Sequence, residues 1–148
     1  MHGVRRKGEG FRIELVRNER ELLGSLCVSL VAELSTEPGG DEGLARLFPA
    51  AYDDDEAAAE YERLVGPSLT DGKVAALRRT AETAGDKRLD RETLETWLTA
   101  LNDLRLVLGT RLGVTEDVYL RAPTEPSVAV FGWLTWLQSE VVEALASS

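Results

Sequence analysis

At 148 residues and 43% hydrophobic side chains, the chain has the size and apolar content of one domain with its own core, which excludes disorder as the default although 29% of residues are charged. A formal net charge of -9 sets it against phosphate backbones and argues against direct nucleic-acid binding. One cysteine, Cys27, and one histidine, His2, exclude an internal disulfide framework, a Cys/His metal site and a triad with a histidine base.

In chain order, Phe11, Ile13 and Leu15 alternate with Arg12 and Glu14, which predicts a strand. Gly8-Glu9-Gly10 supplies a turn back to a weaker strand over 4–7, so residues 1–17 read as a β-hairpin arm. Arg5, Arg6, Lys7, Arg12, Arg17 and Arg20 make this start basic. Asn18 is placed as the N-cap of a helix over 19–34, with Glu21 completing a capping box. Leu23, Cys27, Leu30, Val31 and Leu34 form its apolar stripe, which makes Cys27 either a small core residue or a reactive thiol.

"STEPGGDEG" over 35–43 reads as a loop without the glycine spacing or lysine of a phosphate cradle. "LARLFP" predicts a short turn. An acidic helix follows over 54–64, and Gly66-Pro67 is expected to break it before a second helix over 68–84. Its run of Asp53, Asp54, Asp55, Glu56, Glu60 and Glu62 is either a docking face for a basic partner or a solvated helix N-terminus. Asp90 caps a long helix over 91–112 that Gly113 ends. Pro126 opens a last helix that ends near Ala146. No run of about twenty apolar residues could span a membrane, and no signal-like apolar stretch follows the N-terminus, so the expected location is cytoplasmic. The fold class expected is mainly α: one domain over 1–148, a bundle of about five helices behind a short N-terminal β-hairpin.

The helix over 91–112 is apolar nearly all round and is expected at the middle of the bundle. Asn102 and Arg105, three residues apart, then share a side, and Gly109 continues it, with close approach of another backbone expected there. These polar residues form either a satisfied seam between helices or a partner contact. Asp103 and Arg111 are the remaining candidates for an acid–base pair. On the last helix Trp136 lies off the core stripe of Val130, Leu134, Leu137, Val141 and Leu145, as an interface tryptophan would.

The segments "WLTALNDLRLVLGTRLGV", "LARLFPAAYDDDEAAAEYERL", "GKVAALRRT" and "WLTWLQSEVVEAL" resemble a small actinobacterial family of unknown function that includes the actinomycete oxidative stress regulator AosR. The resemblance runs from Phe11 to Leu145. It implies a redox-responsive transcription regulator that binds a stress sigma factor. No cofactor or metal is expected from the residues themselves. The redox role in that family uses a cysteine pair, and this chain carries Cys27 alone, so a disulfide within the chain is impossible. The function expected is therefore non-enzymatic regulation through protein–protein contact, as a homodimer. A structural helical module without transcriptional function is the alternative.

Overall fold

Two strands set the N-terminal architecture, β1 (Gly3–Lys7) and β2 (Gly10–Glu14), paired antiparallel with Lys7 opposite Gly10. Gly8 takes φ +65 in the two-residue turn, a backbone region where a side chain is strained. The computed structural model describes residues 2–36, 44, 47, 55–113 and 125–147, with the backbone alone at 36 and over 55–68. Within it the hairpin gains a third strand, β3 (Arg88–Leu89), which pairs with β2 through Phe11 opposite Leu89 and Arg12 opposite Arg88. Two residues are too few to leave an alternation pattern in sequence. Val4, Phe11, Ile13 and Leu89 are buried on the inner face, while Arg5, Arg12 and Arg88 stand on the outer one.

Helix α1 (Arg17–Thr36) begins earlier than expected. Val16, not Asn18, flanks its first turn, and the Val16 N–H donates to the Glu19 carboxylate at 2.9 Å. Glu19 thus plays the reaching-back role of a capping box, and Glu21 instead pairs with Arg17 on the surface. The stripe Leu23, Cys27, Leu30 and Leu34 is buried. Arg20 donates to four carbonyls: Ile13 at 2.7 Å, Leu15 at 3.0 Å, Ala84 at 3.0 Å and Asp86 at 2.7 Å.

Helix α2 (Asp55–Thr83) runs unbroken through Gly66-Pro67, against expectation. An interior proline removes one helical hydrogen bond and costs roughly 3 kcal/mol. Packing of the second half of α2 against its neighbours outweighs that cost, for Leu77, Thr80 and Thr83 are all buried there. Thr80 and Thr83 satisfy their hydroxyls on the Ala76 and Arg79 carbonyls, and Thr83 also accepts from the Trp97 indole N–H at 2.7 Å. The acidic run falls largely outside the described residues: 53 and 54 entirely, and the side chains of 55–62. Most of the loop expected over 35–43 lies outside them as well; Leu44 and Leu47 are buried.

Helix α3 (Arg91–Leu112) follows its sequence signals closely. Asp90 accepts from the Thr93 N–H at 2.8 Å, and Gly113 closes the helix at φ 60. The helix lies between α2 and α4 (Pro126–Ala146). Leu94, Trp97, Ala100, Leu101, Leu104 and Val107 are buried, yet α3 is not enclosed. Glu95, Thr99, Asn102 and Leu106 form an exposed stripe, with Leu106 39% exposed. Helix α4 starts with Pro126 after Glu125, whose carboxylate accepts from the Val128 N–H at 3.0 Å. It packs on α3 and on β1, where the Val4 N–H donates to Glu140 and Arg6 to the Ser147 carbonyl. The chain is mainly α, with four helices and one small sheet among the described residues.

Arg20→Met leaves four carbonyls without their shared donor, and an expected loss of about 2–4 kcal/mol follows from hydrogen bonds made by a charged group. Arg20→Lys recovers only part of it, since one ammonium cannot reproduce the guanidinium fork. Urea unfolding of the three proteins checks the order.

Candidate functional site

A helix turns about 100° per residue, so Asp103 and Arg105 on α3 face different neighbours. Asp103 is buried against α2, with its carboxylate oxygens 3.3 and 3.4 Å from the Lys73 ammonium. Burial pushes the Asp103 carboxyl above the ordinary aspartate range, and the Lys73 charge only partly opposes it.

Arg105 faces α4. Its Nε donates to Thr135 Oγ1 at 3.0 Å and its Nη1 to Gln138 Oε1 at 2.6 Å. The guanidinium also lies 5.4 Å from the centre of the Phe131 ring. Every one of these contacts is neutral; among the described residues Arg105 has no carboxylate partner. A groove of about 400 Å³ opens beside it, lined by Arg105, Thr135, Gln138, Ser139, Val142 and Glu143. Gly109, one turn on, packs against Phe131 of α4. A Cβ there would stand 2.9 Å from Phe131 Cε2, so the close approach is that of an aromatic ring and not of another backbone.

Asn102 does not share this side. It stands on the exposed stripe of α3. Arg111 pairs with Glu33 of α1 at 3.0 Å, in the last turn of α3 where a cation suits the helix end. Asp103 and Arg111 thus serve separate partners, on α2 and α1, and are not brought together as an acid–base pair.

Trp136 is partly buried at the edge of the core and stacks on the His2 ring, with centroids 4.6 Å apart and planes 16° from parallel. His2 also meets Glu19 at 2.6 Å, and Glu19 accepts from the Trp133 indole N–H at 2.9 Å. Burial pushes the Glu19 carboxyl up, but the hydrogen bonds from His2, Val16 and Trp133 outweigh it and hold the group below its usual range. Sequence reasoning missed this cluster because Glu19 and Trp133 lie 114 positions apart. Cys27 sits inside the core, fully buried, and burial pushes its thiol up to about 12. Among the described residues no group of three or more His, Cys, Asp or Glu side chains is placed to hold a metal ion. The groove on α3 and α4 thus presents one cation, Arg105, and one carboxylate, Glu143, among Thr135, Gln138, Ser139 and the exposed Val142.

The folded chain holds the Asp103 proton more tightly than the unfolded chain, so ionising Asp103 costs stability as the pH rises through its folded value. That cost is absent below the ordinary aspartate value of 3.8. Asp103→Asn is therefore expected to match or exceed the parent Tm at pH 7 and to lose that advantage near pH 4; a Tm several degrees lower at pH 7 would show that the Lys73 pairing dominates. Cys27 is expected to stay unmodified when native protein is treated with iodoacetamide at pH 8 and to alkylate fully in urea, as read by intact mass. Labelling of the native chain at the rate of a free thiol contradicts the burial argument.

A family model described as a domain of unknown function, DUF2017, matches residues 1–145. A protein of Mycobacterium tuberculosis named "Oxidative stress regulator AosR" is 32% identical over 131 residues, covering 74% of this chain and 60% of the relative. The protein of that name in Mycobacterium bovis matches to the same extent. The Mycobacterium leprae "Putative oxidative stress regulator AosR" is 32% identical over 112 residues, 70% of this chain and 52% of the relative. The chain thus spans little more than half the length of the curated relatives it matches. No solved structure matches it. The chain belongs to the DUF2017 family, an actinobacterial family that includes the oxidative stress regulators AosR.

Proposed function

We propose that this chain is a cytoplasmic, stress-linked regulatory protein that acts by protein–protein contact and not by catalysis, with a sigma factor as its partner in the transcription machinery. The relatives' name supports the stress link. The observation that carries the contact is Arg105, a half-buried cation held only by neutral groups in the α3–α4 groove. Arginine is enriched among the residues that dominate binding energy, and a guanidinium without a direct ion pair beside the exposed Val142, in a groove also lined by Glu143, offers a partner one charged and one apolar contact. Asn102 and Leu106, on the exposed stripe of α3, extend the surface available to a partner. Regulation by contact would here run without a cysteine pair, because the thiol of Cys27 is sealed in the core.

A second reading, a structural module whose polar residues only register its helices, is favoured by one observation. No buried side-chain nitrogen or oxygen lacks a hydrogen-bond partner among the described residues, so Arg105 is also well placed as a seam between α3 and α4.

Val142→Glu separates the two, since Val142 is 45% exposed and its replacement leaves the core intact. Tagged protein in an actinobacterial lysate under reducing conditions is expected to capture a sigma factor or RNA polymerase, and Val142→Glu to reduce the capture about tenfold with unchanged circular dichroism. Recovery of the bait alone, or equal capture by the variant, removes the support for a contact at this groove. Sedimentation equilibrium on the same preparations checks the proposed homodimer.

A further inference from the structure

The outer face of the sheet carries a charge arrangement that folding alone does not favour. Arg12 on β2 stands opposite Arg5 of β1 on one side and opposite Arg88 of β3 on the other. Directly opposed residues of antiparallel strands project to the same face about 5 Å apart, and like charges in that position are destabilising. Three arginines therefore form one cross-strand row that spans all three strands. Glu14 partly offsets it, pairing with Arg5 and with Arg12 at 3.4 Å. Arg88 donates to the Lys7 carbonyl at 2.8 Å, a contact that orients its guanidinium without neutralising it.

The row borders a groove of about 390 Å³ whose charged lining is Lys7, Arg12, Arg20, Lys87 and Arg88 with Glu14. Five cations thus meet one carboxylate, in a chain of net charge -9. Glu9 and Asp86 lie nearby in the chain, at the hairpin turn and just before Lys87, and do not line the groove. Among the described residues Lys7 and Lys87 have no ion-pair partner.

We infer that this face of the sheet docks an acidic, extended peptide segment of a partner protein, whose carboxylates take the arginine forks. Three observations favour a peptide. The guanidinium fork matches a carboxylate through two parallel N–H···O bonds. The groove has room for a few side chains only. A nucleic acid would bring a long line of phosphates against a body of net charge -9, whereas a short acidic segment meets the basic groove and little else. Glu14 already occupies the position that one incoming carboxylate would take, so it competes with the ligand. The inference stands apart from the α3–α4 groove and does not rest on it.

The test is fluorescence anisotropy with the full chain and a labelled oligoglutamate peptide at low ionic strength, beside oligoglutamine and a short DNA duplex. Oligoglutamate is expected to bind, oligoglutamine not to bind, and added salt to weaken the complex. Arg12→Glu and Arg88→Glu each weaken binding about tenfold, and Arg88→Glu keeps or raises Tm because it turns a like-charged pair with Arg12 into an opposite one. Glu14→Gln tightens binding by removing the competing carboxylate. Absence of oligoglutamate binding, equal binding by the reversed variants, or tighter binding of the duplex than of the peptide would each overturn the inference. Capture of a sigma factor through Val142 is untouched by any of these outcomes.

Discussion

The guanidinium of Arg20 ties together three parts of the chain that lie far apart in sequence or belong to different elements. It sits in the first turn of α1 and takes carbonyls from the end of β2, at Ile13 and Leu15, and from the segment that leaves α2, at Ala84 and Asp86. The last two lie where the negative end of the α2 dipole concentrates, so the cation also opposes that dipole. Holding residues 84–86 in place also positions residues 87–90. Lys87 offers its carbonyl to Ile13, Arg88 and Leu89 pair with β2, and Asp90 is delivered to the start of α3 as its cap. The direction of α3, and with it the placement of Asp103 toward α2 and Arg105 toward α4, depends on that sequence of anchors.

Much of the helical framework was legible because its punctuation is local. Asp90, Gly113 and Pro126 act within one turn of themselves, and both limits of α3 and the start of α4 follow from them. The misreadings share a different cause. Gly66-Pro67 is a strong local stop that long-range packing overrode. Asn18 and Glu21 have the spacing of a cap, but the turn is set by Val16 and Glu19, and Glu19 is held there partly by Trp133 from the far end of the chain. Nothing local distinguishes Arg20 from the other arginines of the basic start, since its role consists entirely of carbonyls supplied by folding.

The polar residues of α3 show how a one-residue difference in phase decides a neighbourhood. Asn102, Asp103 and Arg105 are nearly contiguous in sequence, yet one is exposed, one is sealed against Lys73 and one lines a groove with α4. Sequence reasoning identified the residues that break the apolar pattern and expected a helix, apolar nearly all round, at the middle of the bundle. The exposed stripe through Glu95, Thr99, Asn102 and Leu106 shows one side left open while α2 and α4, with smaller contacts from α1 and β2, cover the rest. Phe131 and Gly109 were each visible as residues, but their fit was not, because a ring filling the space of a missing Cβ is a property of two helices together.

The seating of β1 on α4 has a consequence for how the protein is made. Strand β1 leaves the ribosome before every other described element, and its partner helix is the last of them to be synthesised. Until α4 emerges, Val4 and the outer edge of the hairpin have no helix to cover them, and a two-stranded hairpin is marginal by itself in water. The native contacts between the two ends of the described chain have high sequence separation, so they close late and slowly. During that interval the charged run Arg5, Arg6 and Lys7 lies along β1, an edge strand, where such side chains discourage pairing with the strands of other chains.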